Sequence, residues 1–137
     1  MGHQQKLFLV SSLFIIGMGI LLGLQKYNIA RARANQHALM IDLMHIASKA
    51  QEYYFKPKYL NGGGYSFEGL VNNRDAFTKL SAAPENENGT FQILPTDNDQ
   101  SLTVWATGKY DTDEDGKNLI VEIKIFPHKT QTTVLTF

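Results

Sequence analysis

The residues whose types and spacing best match a chemical template are acidic and lie in the second half of the chain. Asp111, Asp113, Asp115, Gly116 and Glu122 fit the pattern D-x-D-x-D-G-x5-E, in which side-chain oxygens at alternate positions and a bidentate glutamate surround calcium in EF-hand proteins. The flanking residues predict strands rather than helices, however, and Asp-Gly is also typical of a hairpin turn. Two interpretations follow: a calcium site formed by Asp111, Asp113, Asp115 and Glu122, or a solvated turn.

The rest of the chain contains no further catalytic or cofactor pattern. Its four histidines, His3, His37, His45 and His128, lack the spacing of metal ligands, and no Ser, His and Asp can be grouped. The absence of cysteine excludes disulfides and thiolate catalysis. Thirteen Lys and Arg balance thirteen Asp and Glu, so no basic excess indicates a nucleic-acid partner. We expect no enzyme, and no cofactor other than the calcium considered above.

An apolar run near the amino terminus has the length of a membrane span. Residues 7–24 (LFLVSSLFIIGMGILLGL) contain no charge, and as a helix they extend for about 27 Å, close to the thickness of a bilayer's hydrocarbon core. The apolar region of a signal peptide is shorter, at about 7–15 residues. The run therefore favours a permanent span over a cleaved signal or a buried core helix.

The helical pattern continues beyond the apolar run. Between Leu24 and Pro57 there is neither proline nor glycine, and we expect one helix to end around residues 55–58. Its predicted core face is Ala34, Ala38, Ile41, Leu43, Ile46, Ala47, Ala50 and Tyr54. Leu39, Met40 and Met44 widen this apolar arc, so the helix is either an ordinary core helix with methionine as gap filler or has a second contact surface.

The second half of the chain predicts a sheet. Residues 90–94, 101–107, 119–126 and 131–137 are rich in β-branched and aromatic residues and are separated by turn residues. In the third segment Leu119, Val121, Ile123 and Ile125 alternate with polar residues, which gives one buried face. The glycine triplet at residues 62–64 either packs against the helix or forms a flexible loop. The prediction is an α+β fold with a four-stranded antiparallel meander.

The first 55 residues carry a resemblance to a known family. YNIARAR at residues 27–33, between the apolar run and ALMIDLMHIASKAQEYY at residues 38–54, resembles the type IV pilins. Those proteins combine a long N-terminal helix and a connecting loop with a four-stranded antiparallel sheet. The resemblance implies that residues 1–27 are a hydrophobic half-helix serving as membrane anchor and filament core, and that residues 28–137 form a pilin-like head that includes the amphipathic half-helix.

The resemblance also implies which side chains bundle in a filament. The implied filament core consists of apolar residues of the first half-helix: Leu7, Phe8, Leu9, Val10, Leu13, Phe14, Ile15, Ile16, Ile20, Leu21, Leu22 and Leu24. The chain lacks the proline that breaks this helix in the family, and no glutamate precedes Asp42. We therefore expect Gly17, Gly19 and Gly23 to be the points at which the helix softens in an assembled filament.

The function implied by the resemblance is structural. We expect a subunit of a type IV pilus-like extracellular filament, assembled through the hydrophobic helix into a helical homopolymer. Its partners would be copies of itself, the inner membrane before assembly and the pilus assembly machinery. Its location would change from the inner membrane to the cell surface. The alternatives are a pseudopilin or minor pilin of a secretion or uptake system, and a monomeric membrane-anchored binding module.

Overall fold

The computed structural model describes residues 2–95, 99–110 and 118–135, and it confirms the α+β fold. One long N-terminal helix lies on a four-stranded antiparallel sheet, which is the pilin-like layout expected from the sequence. In chain order the elements are helix α1 (His3–Phe55), a 3-10 turn (Lys58–Leu60), helix α2 (Arg74–Lys79), and strands β1 (Gly89–Leu94), β2 (Leu102–Gly108), β3 (Ile120–Phe126) and β4 (Lys129–Leu135).

Helix α1 is continuous over 53 residues, a length of about 80 Å. It ends as predicted, because Lys56 adopts an extended conformation (φ −72°, ψ 130°) immediately before Pro57. Residues 2–28 are exposed, and the first buried residue of the helix is Ala32. The helix therefore protrudes from the head for about half its length.

The sheet is a meander with the strand order β1-β2-β3-β4. Leu119, Val121, Ile123 and Ile125 are buried, as the alternation of the third segment predicts. Helix α1 crosses β2 and β3 on this side of the sheet, and the core forms between them from Leu39, Leu43, Ile46, Ala50, Val104, Ala106, Val121 and Ile123, among others. Six of the seven residues of β4 are exposed, so the core does not extend across the whole sheet.

The glycine triplet closes the carboxyl end of α1. The backbone N–H of Gly63 donates to the carbonyl of Tyr53 at 2.7 Å, and that of Gly64 donates to Lys56 at 2.9 Å. These bonds satisfy carbonyls that the last turn of a helix leaves without partners. A Cβ atom at Gly63 would overlap the carbonyl oxygen of Ser66, so this position requires glycine. Of the two interpretations of the triplet, close packing against the helix is the one observed.

Helix α2 is the short stretch that links the glycine loop to the sheet. Asn73 caps it, since its side-chain oxygen accepts a hydrogen bond from the N–H of Ala76 at 2.8 Å. Ala76 and Phe77 are buried, as is Leu80 directly after the helix. The loop segment therefore contributes its own apolar side chains to the core.

Candidate functional site

Most of the exposed large apolar side chains among the described residues lie on α1. All twelve residues of the implied filament core are exposed, from 51% for Leu9 to 78% for Phe8. By length and composition the helix is able to cross a membrane, and none of its most apolar window is buried within the protein. An apolar surface of this extent requires lipid or protein to cover it.

A second apolar surface continues from the first along the head. It runs down the side of α1 that faces away from the sheet, and we call it the outer stripe. Ile41 is 70% exposed and Met44 is 59% exposed. The apolar members of the outer stripe follow helical spacing on one face, with the exposed His37 between the third and the fourth of them: Tyr27, Ala30, Ala34, Ile41 and Met44.

The outer stripe corrects the predicted core face of α1. Spacing predicts that Ala34 and Ile41 lie in the core, but both are exposed, whereas Leu39 is fully buried and Met40 packs against the core. The wide apolar arc thus divides into a face that meets the sheet and a face that meets nothing within the described chain. This arrangement favours the second contact surface over the ordinary core helix.

A polar network sets the position of the head on α1. The side chain of Asn35, which is 7% exposed, donates to the carbonyl of Asn88 at 2.8 Å and accepts from the N–H of Lys109 at 3.3 Å. About two turns further along α1, Asp42 Oδ2 accepts from the side-chain amides of Asn86 and Asn88, both at 2.8 Å. Sequence reasoning missed this network, whose signal was two polar residues amid the apolar positions of the helix.

The same network bears on Asn88, which begins an Asn-Gly-Thr glycosylation sequon. The amide nitrogen to which a glycan would be attached donates to Asp42. Asn88 is half-buried at the turn into β1. Its structural role is to hold this turn against the helix.

The calcium hypothesis falls largely outside the described residues. Asp111, Asp113 and Asp115 lie there, while Glu122 is on β3, where its Oε2 accepts a hydrogen bond from the indole N–H of Trp105 at 2.7 Å. Within the described ranges no three His, Asp or Glu side chains are grouped to hold a metal. Calcium binding stays a prediction, which melting curves with calcium and with a chelator test: an unchanged midpoint would count against a site.

Tyr110, the last described residue before this acidic segment, contacts α1. The Arg31 guanidinium donates to the hydroxyl of Tyr110 at 2.6 Å and lies 4.1 Å from the centre of the tyrosine ring. Tyr110 directly precedes Asp111. Tyr110 therefore lies beside the first turn of α1 that meets the head.

Gly17, Gly19 and Gly23 lie within regular α-helix in the isolated chain. A Cβ atom at any of the three would meet nothing within 4 Å. Their predicted softening concerns the assembled filament, and for that state it stays a prediction.

No protein-family model matches this sequence, and neither a curated protein nor a solved structure matches it. The resemblance to type IV pilins therefore depends on the residues of the first helix and on the observed layout of helix and sheet.

Proposed function

We propose that this protein is a structural subunit of a pilus-like filament, anchored in a membrane by α1 before assembly. One observation carries the proposal: the exposed apolar surface of α1 does not end where the helix enters the head but continues as the outer stripe. A membrane tether requires only the apolar run at residues 7–24. The outer stripe lies beyond it, where a second protein surface is needed to cover Ile41 and Met44.

Copies of the same chain are the partner that fits both surfaces. Parallel packing of α1 helices buries the apolar run and the outer stripe together, with the sheet on the outside. If the contact is heterologous, using different surfaces on the two subunits, it repeats without closing and produces a helical polymer. Residues 7–24 then exchange lipid for protein, so helix packing rather than the removal of water stabilises that part of the core.

The proposal includes the location and partners of the subunit. Before assembly the apolar run lies in the inner membrane, with the head on its outer side, and assembly machinery extracts the subunit into a cell-surface filament. This orientation is taken from the resemblance to pilins. A pseudopilin would use the same surfaces in a short fibre, so the length of the polymer distinguishes the two functions.

Replacing Ile41 by Asp tests the proposal. We expect this change to abolish filaments sheared from the surface of the native host, as seen by negative-stain microscopy, because it places a charge in the helix bundle. Since Ile41 is 70% exposed, the head should remain folded, which the fluorescence of Trp105, the single tryptophan, reports.

Thr78→Asp is the matched control, because Thr78 is exposed on α2 and belongs neither to the apolar run nor to the outer stripe. This variant should form normal filaments. If the protein is only a membrane-anchored binding module, the unaltered chain will form no filaments and Ile41→Asp will change neither its folding nor its membrane attachment.

A further inference from the structure

The charges of the chain are segregated along its length, although they balance overall. Residues 1–41 contain Lys6, Lys26, Arg31 and Arg33 and no acidic residue, a net charge of +4. Because the whole chain has a net charge of zero, residues 42–137 carry −4. The first 41 residues are therefore basic and the rest of the chain is acidic.

Two of these four basic residues lie on one flank of α1, while Lys6, 20 residues before Lys26, projects from the opposite side. Lys26 and Arg33 are seven residues apart, close to two helical turns, so they lie on the same side of the helix. Both are exposed. Arg31 is on another side and is engaged by Tyr110. Within the described residues the single ion pair joins Lys49 to Glu52, so neither Lys26 nor Arg33 has a carboxylate partner in its own described chain.

The opposite flank of α1 carries Asp42 together with Arg31 and Lys49, which are engaged by Tyr110 and Glu52, and the exposed carboxylates on this side belong to a turn that packs against it. Asp42 follows Arg33 by nine residues, which is about 2.5 turns and about 14 Å along the axis, so the two residues project from opposite sides of the helix. The turn at residues 85–88 lies on the Asp42 side, because Asn86 and Asn88 donate to its carboxylate. Glu85 and Glu87 alternate with these asparagines and are exposed. The asparagines hold the turn to the helix while the glutamates form an acidic surface.

We infer that the basic flank of one subunit, Lys26 and Arg33, docks on the acidic flank of a second copy, Glu85 and Glu87. Charge complementarity selects this occupant, since the two flanks belong to the same chain and carry opposite charges. They lie on opposite sides of one helix, so the contact uses different surfaces on the two copies and leaves a free flank at each end. Such a heterologous contact propagates instead of closing.

The offset between the flanks also gives the stagger of the copies. Parallel helices bring Arg33 of one copy level with Asp42 of the next when they are displaced by about 14 Å along the axis. This contact rests on the proposed function and specifies it further. It gives a packing in which all helices point in the same direction, neighbouring copies are staggered, and the outer stripes face a common centre. Charge pairing guides register and partner choice more than it adds affinity.

A charge exchange tests this contact on the full chain. Arg33→Glu places like charges opposite each other, and we expect about a tenfold or greater loss of filaments. Glu85→Lys combined with Glu87→Lys should cause a similar loss. Adding Lys26→Glu to these three substitutions reverses both flanks, restores opposite charges across the contact and should recover most of the filaments. Arg74→Glu, an equal change of charge at an exposed residue of α2, is the control and should have no effect.

The outcomes separate the contact from the function. Absence of filaments from the unaltered chain would overturn the proposed function and this contact with it. Normal filaments from Arg33→Glu would overturn the contact alone. So would a loss that the charge exchange does not repair, which would instead assign Arg33 to anionic lipid headgroups.

Cross-linking provides a second measurement that does not depend on filament yield. The chain has no cysteine, so Arg33→Cys combined with Glu87→Cys introduces a unique pair on the two flanks. A short bismaleimide added to filaments should give a ladder of multimers, whereas each single substitution should give none. Only dimers, or no cross-linked product from the paired variant, would overturn the contact.

Discussion

At the scale of single residues, polar side chains on α1 determine where the head is attached. Asn35 and Asp42 lie on the border of the core face and bind the turn that leads into β1. Apolar contacts alone would permit the helix to slide along the sheet, since many apolar pairs are nearly equivalent. Hydrogen bonds have preferred distances and angles, so they select one register.

Asn35→Ala should lower the free energy of unfolding by about 1–3 kcal/mol, because it leaves the Asn88 carbonyl and the Lys109 N–H without their side-chain partner. The measurement is urea unfolding of the full chain in detergent micelles, followed by Trp105 fluorescence. Asn28→Ala, an exposed position on the same helix, should be almost neutral. Equal effects of the two substitutions would contradict the role given to Asn35.

The raised pKa of Tyr53 predicts how the stability of the protein responds to alkaline pH. Burial, and then the nearby charge of Glu68, raise the pKa of Tyr53 above its usual value. The unfolded chain releases this proton near pH 10, so the contribution to stability is complete below about pH 10 and decreases as pH rises through the folded pKa.

Tyr53→Phe should therefore reduce the loss of stability above about pH 10. At neutral pH it should cost about 1 kcal/mol, because the hydroxyl no longer donates to the Glu68 carbonyl at 2.9 Å. Tyr59→Phe, at a position 84% exposed, should change neither. Unfolding midpoints measured from pH 7 to 11 check both expectations, and an unchanged alkaline slope in Tyr53→Phe would refute the first.

At the scale of elements, α1 is one helix with two environments. Its carboxyl half is fixed by the sheet and by the glycine triplet, while residues 2–28 of its amino half are exposed and pack against no other described part of the chain. Regular geometry in that half therefore depends on local preferences. Glycine has a helix propensity about 1 kcal/mol worse than that of alanine, so the three glycines are its weakest points.

Replacing Gly17, Gly19 and Gly23 together by alanine tests the predicted softening. Since an added Cβ meets nothing within 4 Å, the isolated chain should gain helix content by circular dichroism and keep its unfolding midpoint. Filaments should become fewer, because the stiffened helix no longer bends to fit its neighbours. Ser11→Ala with Ser12→Ala is the control in the same half, and normal filaments from the glycine variant would refute the softening.

At the scale of the whole molecule, the protein combines a protruding apolar half-helix with a folded head, and its charge changes from basic in residues 1–41 to acidic in residues 42–137. The two parts have separate requirements, because the apolar run needs lipid or other helices while the head has its own core. A change in the run should therefore affect location and assembly without affecting the fold of the head.

Leu21→Asp and Ile16→Asp should each abolish filaments and weaken membrane insertion, as a charge at the centre of a span costs about 2.5–3.5 kcal/mol. The unfolding transition of Trp105 in micelles should remain unchanged. Ile41→Asp is the informative comparison, because it should block assembly while membrane extraction stays normal. Filaments that persist in Leu21→Asp would refute the assignment of the filament core.

Local patterns in the sequence determined most of the elements. Proline at position 57 determined the end of α1, and alternation in residues 119–126 determined which side of β3 is buried. The four predicted strands begin within two residues of the observed ones. These features depend on backbone geometry and on side-chain periodicity, both of which act between residues close in the chain.

The tertiary structure decided what no local pattern contains. Periodicity showed that α1 has a wide apolar arc, but only the sheet divided that arc, with Leu39 buried and Ile41 exposed. Likewise the sequence placed charges at Arg33 and Glu87, while folding put them on opposite flanks of one helix. The physical reason is the same in both cases. Whether a side chain is apolar or charged depends only on its own chemistry, but the surface that it faces depends on residues far away in the chain.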